Sequence, residues 1–289
     1  MNKIISKSKL PIDSFKETSW LAILLFYVLY CIAATLINLV VFKSNILDPI
    51  YSLTYGLINQ TLIVNIVDII IFIVIIILKS GKLTFFDIGV KKNRLLSAVV
   101  AIVTLWVFMQ VLNIIIELII DGKPIFNNEW YKYGVTGMFG EFIAQLFGNC
   151  LFEEIAFRGF LLVQICKKLR NTKWNLFIGV VVSQLLFAIM HIPNRIYSGM
   201  DIFEILPSII IVFIIGLLFA SVYLVTDNLF LVIGIHTLLN TPLLVFNGLM
   251  SIWVIAISTI IILIIWDRTF GKLNKDAHST YELNKYANG

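Results

Sequence analysis

Six polar or charged side chains interrupt apolar stretches that are otherwise suited to a hydrocarbon environment. They are Glu153, Glu154, Arg158, His191, His236 and Asn240. An ionisable group at the centre of a membrane helix costs roughly 2.5–3.5 kcal/mol on insertion scales, so it persists mainly where it faces protein or water and has a function. Three separate stretches supply these residues. We therefore expect a buried polar site assembled from three helices.

The first stretch reads FEEIAFRG and contains both acids and the arginine. Glu154 and Arg158 are four residues apart, with the acid first, which favours an ion pair on one face of a helix. Glu153 points about 100° away from Glu154 on an α-helix, so the two acids can have different roles. One acid is neutralised by the arginine, and Glu153 stays available as a general base for water.

The other two stretches are FAIMH, which ends at His191, and HTLLN, which runs from His236 to Asn240. Pro193 places His191 in the last turn of its helix. His236 and Asn240 lie one turn apart on the same face, and Pro242 is expected to bend the helix just beyond them. This pair suits either hydrogen bonding to a developing oxyanion or ligation of a metal, and spacing alone does not choose between these roles.

The composition predicts an integral membrane protein. Of the 289 residues, 60% are hydrophobic and only 13% are charged, too few to cover a water-facing surface. Apolar runs of sufficient length recur along the chain and predict an all-α bundle of about eight transmembrane helices. The predicted spans are Trp20–Phe42, Leu57–Leu78, Leu95–Ile120, Met138–Cys166, Trp174–His191, Glu204–Val225, Leu229–Phe246 and Gly248–Trp266.

The basic residues predict the orientation of the chain. Lysines and arginines concentrate in the N-terminal segment, in the loops Lys79–Arg94 and Lys167–Lys173, and in the C-terminal tail. These segments alternate along the predicted topology, so the positive-inside rule puts both termini in the cytoplasm. The formal net charge of +5 is explained by this bias, with membrane lipid and no nucleic acid as the expected partner.

No repeat or linker divides the chain, so we expect one helical bundle. Residues 1–134 are predicted to form about three N-terminal spans, 135–250 a catalytic core, and 251–289 the last span and a cytoplasmic tail. The glycine-rich stretch Gly134–Gly140 predicts a turn before the fourth helix.

Other polar residues within the spans are expected to be structural. Asp68, Asn65 and Glu117 are assigned to interhelical hydrogen bonding or to the membrane interface. Cys150 lies one turn before Glu153, but no base motif is specific to it as a nucleophile. The three cysteines are odd in number and lie in or beside spans, which argues against a disulfide framework.

The three motifs resemble EExxxR, FxxxH and HxxxN/D, the ordered motifs of the CPBP family. This family comprises CAAX prenyl-protease-like and bacteriocin-processing intramembrane proteases, also called the Abi or Rce1-like family. The resemblance covers roughly residues 135–250 and implies an eight-helix bundle with a water-accessible cavity. It also implies that Glu153 and His191 activate water while His236 and Asn240 stabilise the oxyanion.

We therefore predict an intramembrane endopeptidase that hydrolyses a peptide bond in a membrane-associated protein or peptide. A divalent metal such as zinc and a metal-independent glutamate mechanism are both compatible with the resemblance, so the cofactor stays unknown. The expected location is the plasma membrane of a bacterium. The alternatives are a non-catalytic scaffold or bacteriocin-immunity protein of the same fold and a proton-coupled transporter.

Overall fold

The computed structural model describes residues 11–247 and 252–269, and within these ranges the chain is helical and contains no β-strand. This confirms the predicted all-α fold. The α-helices are α1 (Trp20–Leu36), α2 (Asp48–Leu53), α3 (Gln60–Asp68), α4 (Leu95–Ile120), α5 (Glu129–Ala144), α6 (Cys150–Glu153), α7 (Val163–Lys168), α8 (Asn175–Ile189), α9 (Ile192–Tyr197), α10 (Ile202–Thr226), α11 (Leu229–Asn240) and α12 (Ile252–Thr269).

Wider π-helical turns extend or join several of these helices. They are Ile37–Val41, Ile69–Ser80, Gln145–Asn149 and Glu154–Leu162. Short 3₁₀ turns occupy Pro11–Ser14, Phe86–Ile88 and Lys92–Arg94.

Within residues 11–247 and 252–269, five helical segments are long and apolar enough to cross a membrane, which makes the protein a multi-pass integral membrane protein. They are Trp20–Val41, Gln60–Ser80, Lys92–Ile120, Asn175–Tyr197 and Ile202–Thr226. Each overlaps a span that the sequence predicts.

The three other predicted spans take different forms. The stretch Met138–Cys166 is a succession of α- and π-helical turns that starts after a break in helical geometry at Gly134, where φ is 68°. The predicted span Leu229–Phe246 is helical only as far as Asn240, because Thr241, which precedes Pro242, leaves helical geometry at φ −142° and ψ 83°. The predicted span Gly248–Trp266 begins outside the described residues, and its described part belongs to α12.

The described chain divides into two compact units. Unit one comprises residues 11–39, 71–90 and 155–227, and unit two comprises 40–70, 91–154, 228–247 and 252–269. The three-part division into 1–134, 135–250 and 251–289 stays a prediction.

Unit one is built around α8, which packs against α7 and α10. The residues just before α1 are held by the buried side chain of Gln164. Its Oε1 accepts from Thr18 N at 2.9 Å, and its Nε2 donates to Lys16 O at 2.9 Å. Asp87 also accepts from Lys16 N at 2.7 Å. The residues before α1 are therefore tied to two other parts of the unit.

Unit two is built around α4 and α11, which pack against each other. Beyond Asn240 the chain continues as a non-helical segment, residues 241–247, whose backbone is hydrogen-bonded by side chains of α4. Gln110 accepts from Val245 N at 3.1 Å, and Asn113 Nδ2 donates to Phe246 O at 2.8 Å. The α4 side chains thus pair backbone groups of Val245 and Phe246, which lie beyond α11 and make no helical hydrogen bonds.

Helix α5 also approaches its neighbours closely in unit two. A Cβ added at Gly140 would overlap the backbone oxygen of Gly56 and would lie 2.9 Å from Leu57 Cα. Thr136 Oγ1, on the same helix, donates to Tyr55 O at 2.7 Å. Glycine at position 140 therefore lets α5 pack directly on the turn at residues 55–57.

We expect Gly140→Ala to destabilise the protein by about 1–3 kcal/mol, because the added methyl group displaces rigid backbone. The matched control is Gly137→Ala, one turn earlier, where the nearest atom to an added Cβ is Tyr133 Cβ at 3.3 Å. Thermal unfolding in detergent should show a clear loss for the first variant and little change for the second. Equal unfolding temperatures for the two variants would contradict this packing.

Candidate active site

The acidic motif lies where an α-helical turn passes into a π-helical one. Glu153 is the last residue of α6, and Glu154 is the first residue of the π-helical stretch Glu154–Leu162. Glu154 is fully buried, and Glu153 is 8% exposed. Buried carboxylates need hydrogen-bond or charged partners, which identifies their neighbours as the rest of the site.

His236 on α11 is the partner of both acids. Its Nδ1 lies 2.7 Å from Glu154 Oε1, and its Nε2 lies 3.7 Å from Glu153 Oε2. A carboxylate only accepts hydrogen bonds when it is ionised, so the short contact puts a hydrogen on Nδ1. The imidazole is thereby oriented with Nε2 toward Glu153.

Glu153 Oε2 is buried and accepts no hydrogen bond from any of the described residues. Buried polar atoms are almost always paired, so an orphaned carboxylate oxygen indicates a position for water or substrate. Glu153, which the sequence assigns to water activation, therefore has a carboxylate oxygen that can accept a hydrogen bond from water or substrate.

Asn240 lies one turn after His236, at the exposed C-terminal end of α11. Its Nδ2 donates to Gln145 Oε1 at 2.9 Å and lies 3.6 Å from Cys150 Sγ. Sequence reasoning missed Gln145. The available signal is its position four residues before Asn149 and eight before Glu153, on a mostly apolar stretch.

Unit one contains Arg158 and His191, which both contact Phe187. The guanidinium carbon of the fully buried Arg158 lies 4.0 Å from the centre of the Phe187 ring and 5.2 Å from that of Phe219. His191 Nδ1 lies 3.0 Å from Phe187 O, and the two rings are 4.7 Å apart. Because the carbonyl can only accept, Nδ1 carries the hydrogen, which leaves Nε2 as the basic nitrogen of the neutral ring.

The six sequence-predicted residues are thus divided between the two units. Unit two joins Glu153 and Glu154 to His236 and carries Asn240 on the same helix as His236. Unit one holds Arg158 and His191. The ion pair between Glu154 and Arg158 stays a prediction.

The other polar residues of the spans take local roles. Glu117 Oε2 accepts from Ile125 N at 2.9 Å, and Asn65 Nδ2 donates to Thr61 O at 2.8 Å. Asp68 is buried. All three cysteines lie in the described part of the chain and are unpaired, as the sequence predicts.

The histidine, cysteine and carboxylate side chains of the protein are the groups that could bind a metal ion. Catalytic zinc sites use three protein ligands from histidine, cysteine and carboxylate side chains. Within residues 11–247 and 252–269, no three such side chains are arranged to hold a metal. The described geometry does not fit a metal centre.

Residues 136–242 match the family model of the type II CAAX prenyl endopeptidases, described as Rce1-like. The matched stretch contains all six sequence-predicted site residues and is similar to that family, which confirms the resemblance carried by the three motifs. Neither a curated protein nor a solved structure matches the chain.

We expect Arg158→Ala to reduce stability more than Glu154→Gln does. Truncation of the arginine removes a buried group packed between two aromatic rings, and removal of one partner of a buried pair costs about 3–5 kcal/mol. The glutamine variant still offers an oxygen to His236. Unfolding in detergent by denaturant or heat measures the difference.

The control is Arg170→Ala in the same unit. Arg170 is 72% exposed and pairs with Glu17 at 3.3 Å, so its loss should cost less than about 1 kcal/mol. Equal stability of Arg158→Ala and Glu154→Gln would argue against a buried structural role for the arginine.

Proposed function

We propose that the protein is an intramembrane endopeptidase that hydrolyses a peptide bond with water activated by Glu153. The match of residues 136–242 to the Rce1-like family model supports a CAAX-type endopeptidase. The observation that carries the catalytic proposal is the position of His236, held by Glu154 through Nδ1 while Nε2 faces Glu153.

In the proposed reaction, Glu153 and His191 take a proton from water, and the resulting hydroxide attacks the carbonyl carbon of the scissile peptide bond. The carbonyl oxygen becomes negatively charged in the tetrahedral intermediate. His236 and Asn240 donate hydrogen bonds to that oxygen. The intermediate collapses when the C–N bond breaks, and the proton taken from water passes to the leaving amine.

The remaining two residues support this chemistry. Glu154 orients His236, and Arg158 supplies positive charge to the acidic motif and holds its helix. The low dielectric of a buried site makes each of these electrostatic interactions stronger than in water. The proposed mechanism uses no metal, because the carboxamide of Asn240 is a poor ligand for zinc.

The proposed substrate is a membrane-associated protein or peptide, because the site residues lie on apolar helices. A lipid-modified C-terminus of the CAAX type is the substrate class that the family suggests. We further propose that the protein lies in a bacterial plasma membrane with both termini in the cytoplasm.

We expect Glu153→Ala and His191→Ala to abolish proteolysis, because each removes a group that takes the proton from water. The protein should still insert, because alanine replaces a polar residue and leaves the apolar residues of each span unchanged. The test compares new protein termini by mass spectrometry in membranes from cells carrying the wild type or one of these variants. Cleavage products should be present with the wild type and absent with both variants.

Glu129→Ala serves as the control, since Glu129 is exposed and lies outside the three motifs. It should give the wild-type set of termini. Identical termini for wild type and Glu153→Ala would favour the non-catalytic scaffold.

Stoichiometric zinc in purified active protein, measured by elemental analysis, would contradict the metal-independent mechanism.

A further inference from the structure

A continuous row of side-chain hydrogen bonds leads through unit two to Asn240. Asn59 Nδ2 donates to Glu141 Oε2 at 2.7 Å, and Gln145 Nε2 donates to Glu141 Oε1 at 2.9 Å. Asn240 Nδ2 then donates to Gln145 Oε1 at 2.9 Å. Only the last residue of the row belongs to the three sequence motifs.

The donor and acceptor roles in this row of hydrogen bonds are set by its first residue, Asn59. Asn59 caps helix α3, and its Oδ1 accepts from the backbone N–H of Leu62 at 3.0 Å. A backbone N–H can only donate, so the amide oxygen of Asn59 must face Leu62 and its NH₂ group must face Glu141.

The orientation of Gln145 and then of Asn240 follows from the same rule that donors must face acceptors. An ionised Glu141 only accepts, so it requires the NH₂ group of Gln145 on its side. The oxygen of Gln145 must then face Asn240, which in turn presents its own NH₂ group. Asn149 Nδ2 also donates to Gln145 Oε1, at 3.3 Å, and this contact favours the same orientation.

The orientation determines where the second amide hydrogen of Asn240 points. One Nδ2 hydrogen is used by Gln145, and the nearest other partner of Nδ2 is Cys150 Sγ at 3.6 Å. A thiol sulfur is a weak acceptor, whereas an oxyanion is a strong one. The second Nδ2 hydrogen of Asn240 is therefore directed by its weak contact with Cys150 Sγ. A stronger acceptor, such as an oxyanion, can take the place of the sulfur.

We propose that Gln145 is a positioning residue which, with Glu141 behind it, fixes the carboxamide of Asn240 with an N–H available to the oxyanion. The inference rests on the proposed function for its catalytic consequence. Without this row the Asn240 side chain could rotate and offer its oxygen, which would repel a negatively charged intermediate. Gln145 acts through Asn240 and does not contact substrate.

The kinetic test uses Gln145→Met, which keeps an unbranched side chain but removes the hydrogen bonds to Glu141, Asn149 and Asn240. The probe is a farnesylated peptide ending in a Cys-aliphatic-aliphatic-Met sequence, with a fluorophore and a quencher on either side of the bond after the cysteine. We expect kcat to fall roughly tenfold with KM unchanged, less than the 10²–10³-fold loss for removal of an oxyanion donor.

A double-mutant cycle separates positioning from a general structural effect. In an Asn240→Ala background, Gln145→Met should have no further effect on kcat, because the group through which it acts is absent. Additive losses in the double variant would overturn the proposal. Gln164→Met is the matched control: it also removes two hydrogen bonds of a glutamine, in unit one, and should lower the unfolding temperature without changing kcat.

A second measurement does not depend on activity. In protein labelled with [¹⁵N]asparagine, the side-chain NH₂ resonances of Asn240, assigned by their loss in Asn240→Ala, should shift and broaden in Gln145→Met and stay unchanged in Gln164→Met. Unchanged resonances in Gln145→Met would overturn the inference. Wild-type protein that gives the expected resonances but does not cleave the peptide would count against the proposed function and not against the positioning of Asn240.

Discussion

The hydrogen bond between Glu154 and His236 is the interaction on which the site in unit two depends. It joins the fully buried carboxylate at the start of the π-helical stretch Glu154–Leu162 to the buried imidazole on α11, with 2.7 Å between Glu154 Oε1 and His236 Nδ1. Either group alone would be costly to bury, so the bond fixes how these two helices pack. It also determines which imidazole nitrogen faces Glu153.

The change between α- and π-helical turns explains why Gln145 and Cys150 both contact Asn240. In a regular α-helix, residues five apart point about 140° away from each other. The π turn Gln145–Asn149 instead closes with a hydrogen bond from Cys150 N to Gln145 O, which brings positions 145 and 150 to the same side. Both side chains consequently contact Asn240. A second π stretch begins at Glu154, within the acidic motif itself.

Some of this could be predicted from the sequence and some could not, for physical reasons. Long apolar runs specify membrane helices almost without regard to tertiary context, so the all-α fold and five long spans follow directly. The three motifs identify the polar residues because charge is rare in such helices. Hydrophobic periodicity does not distinguish α from π turns in a uniformly apolar stretch, so the pairing of Gln145 with Asn240 was not visible.

The end of α11 also could not be predicted from the local sequence alone. Pro242 indicates a disturbance, but whether the helix bends or stops depends on what satisfies the freed backbone groups. Here Gln110 and Asn113, more than a hundred residues earlier in the chain, hydrogen-bond the backbone of Val245 and Phe246 in the segment that follows the helix. Such long-range partners cannot be read from a local pattern, which is why the predicted span to Phe246 was too long.

The central claim is that Glu154 holds His236 so that its Nε2 can donate a hydrogen bond to the oxyanion. The most direct measurement is the ¹⁵N NMR spectrum of histidine-labelled protein, which is simple because the chain has three histidines. Variants at His191 and His278 assign the signals. The account predicts that both ring nitrogens of His236 carry hydrogen at the pH of maximal activity. An unprotonated Nε2 at that pH would contradict it and would make His236 a base.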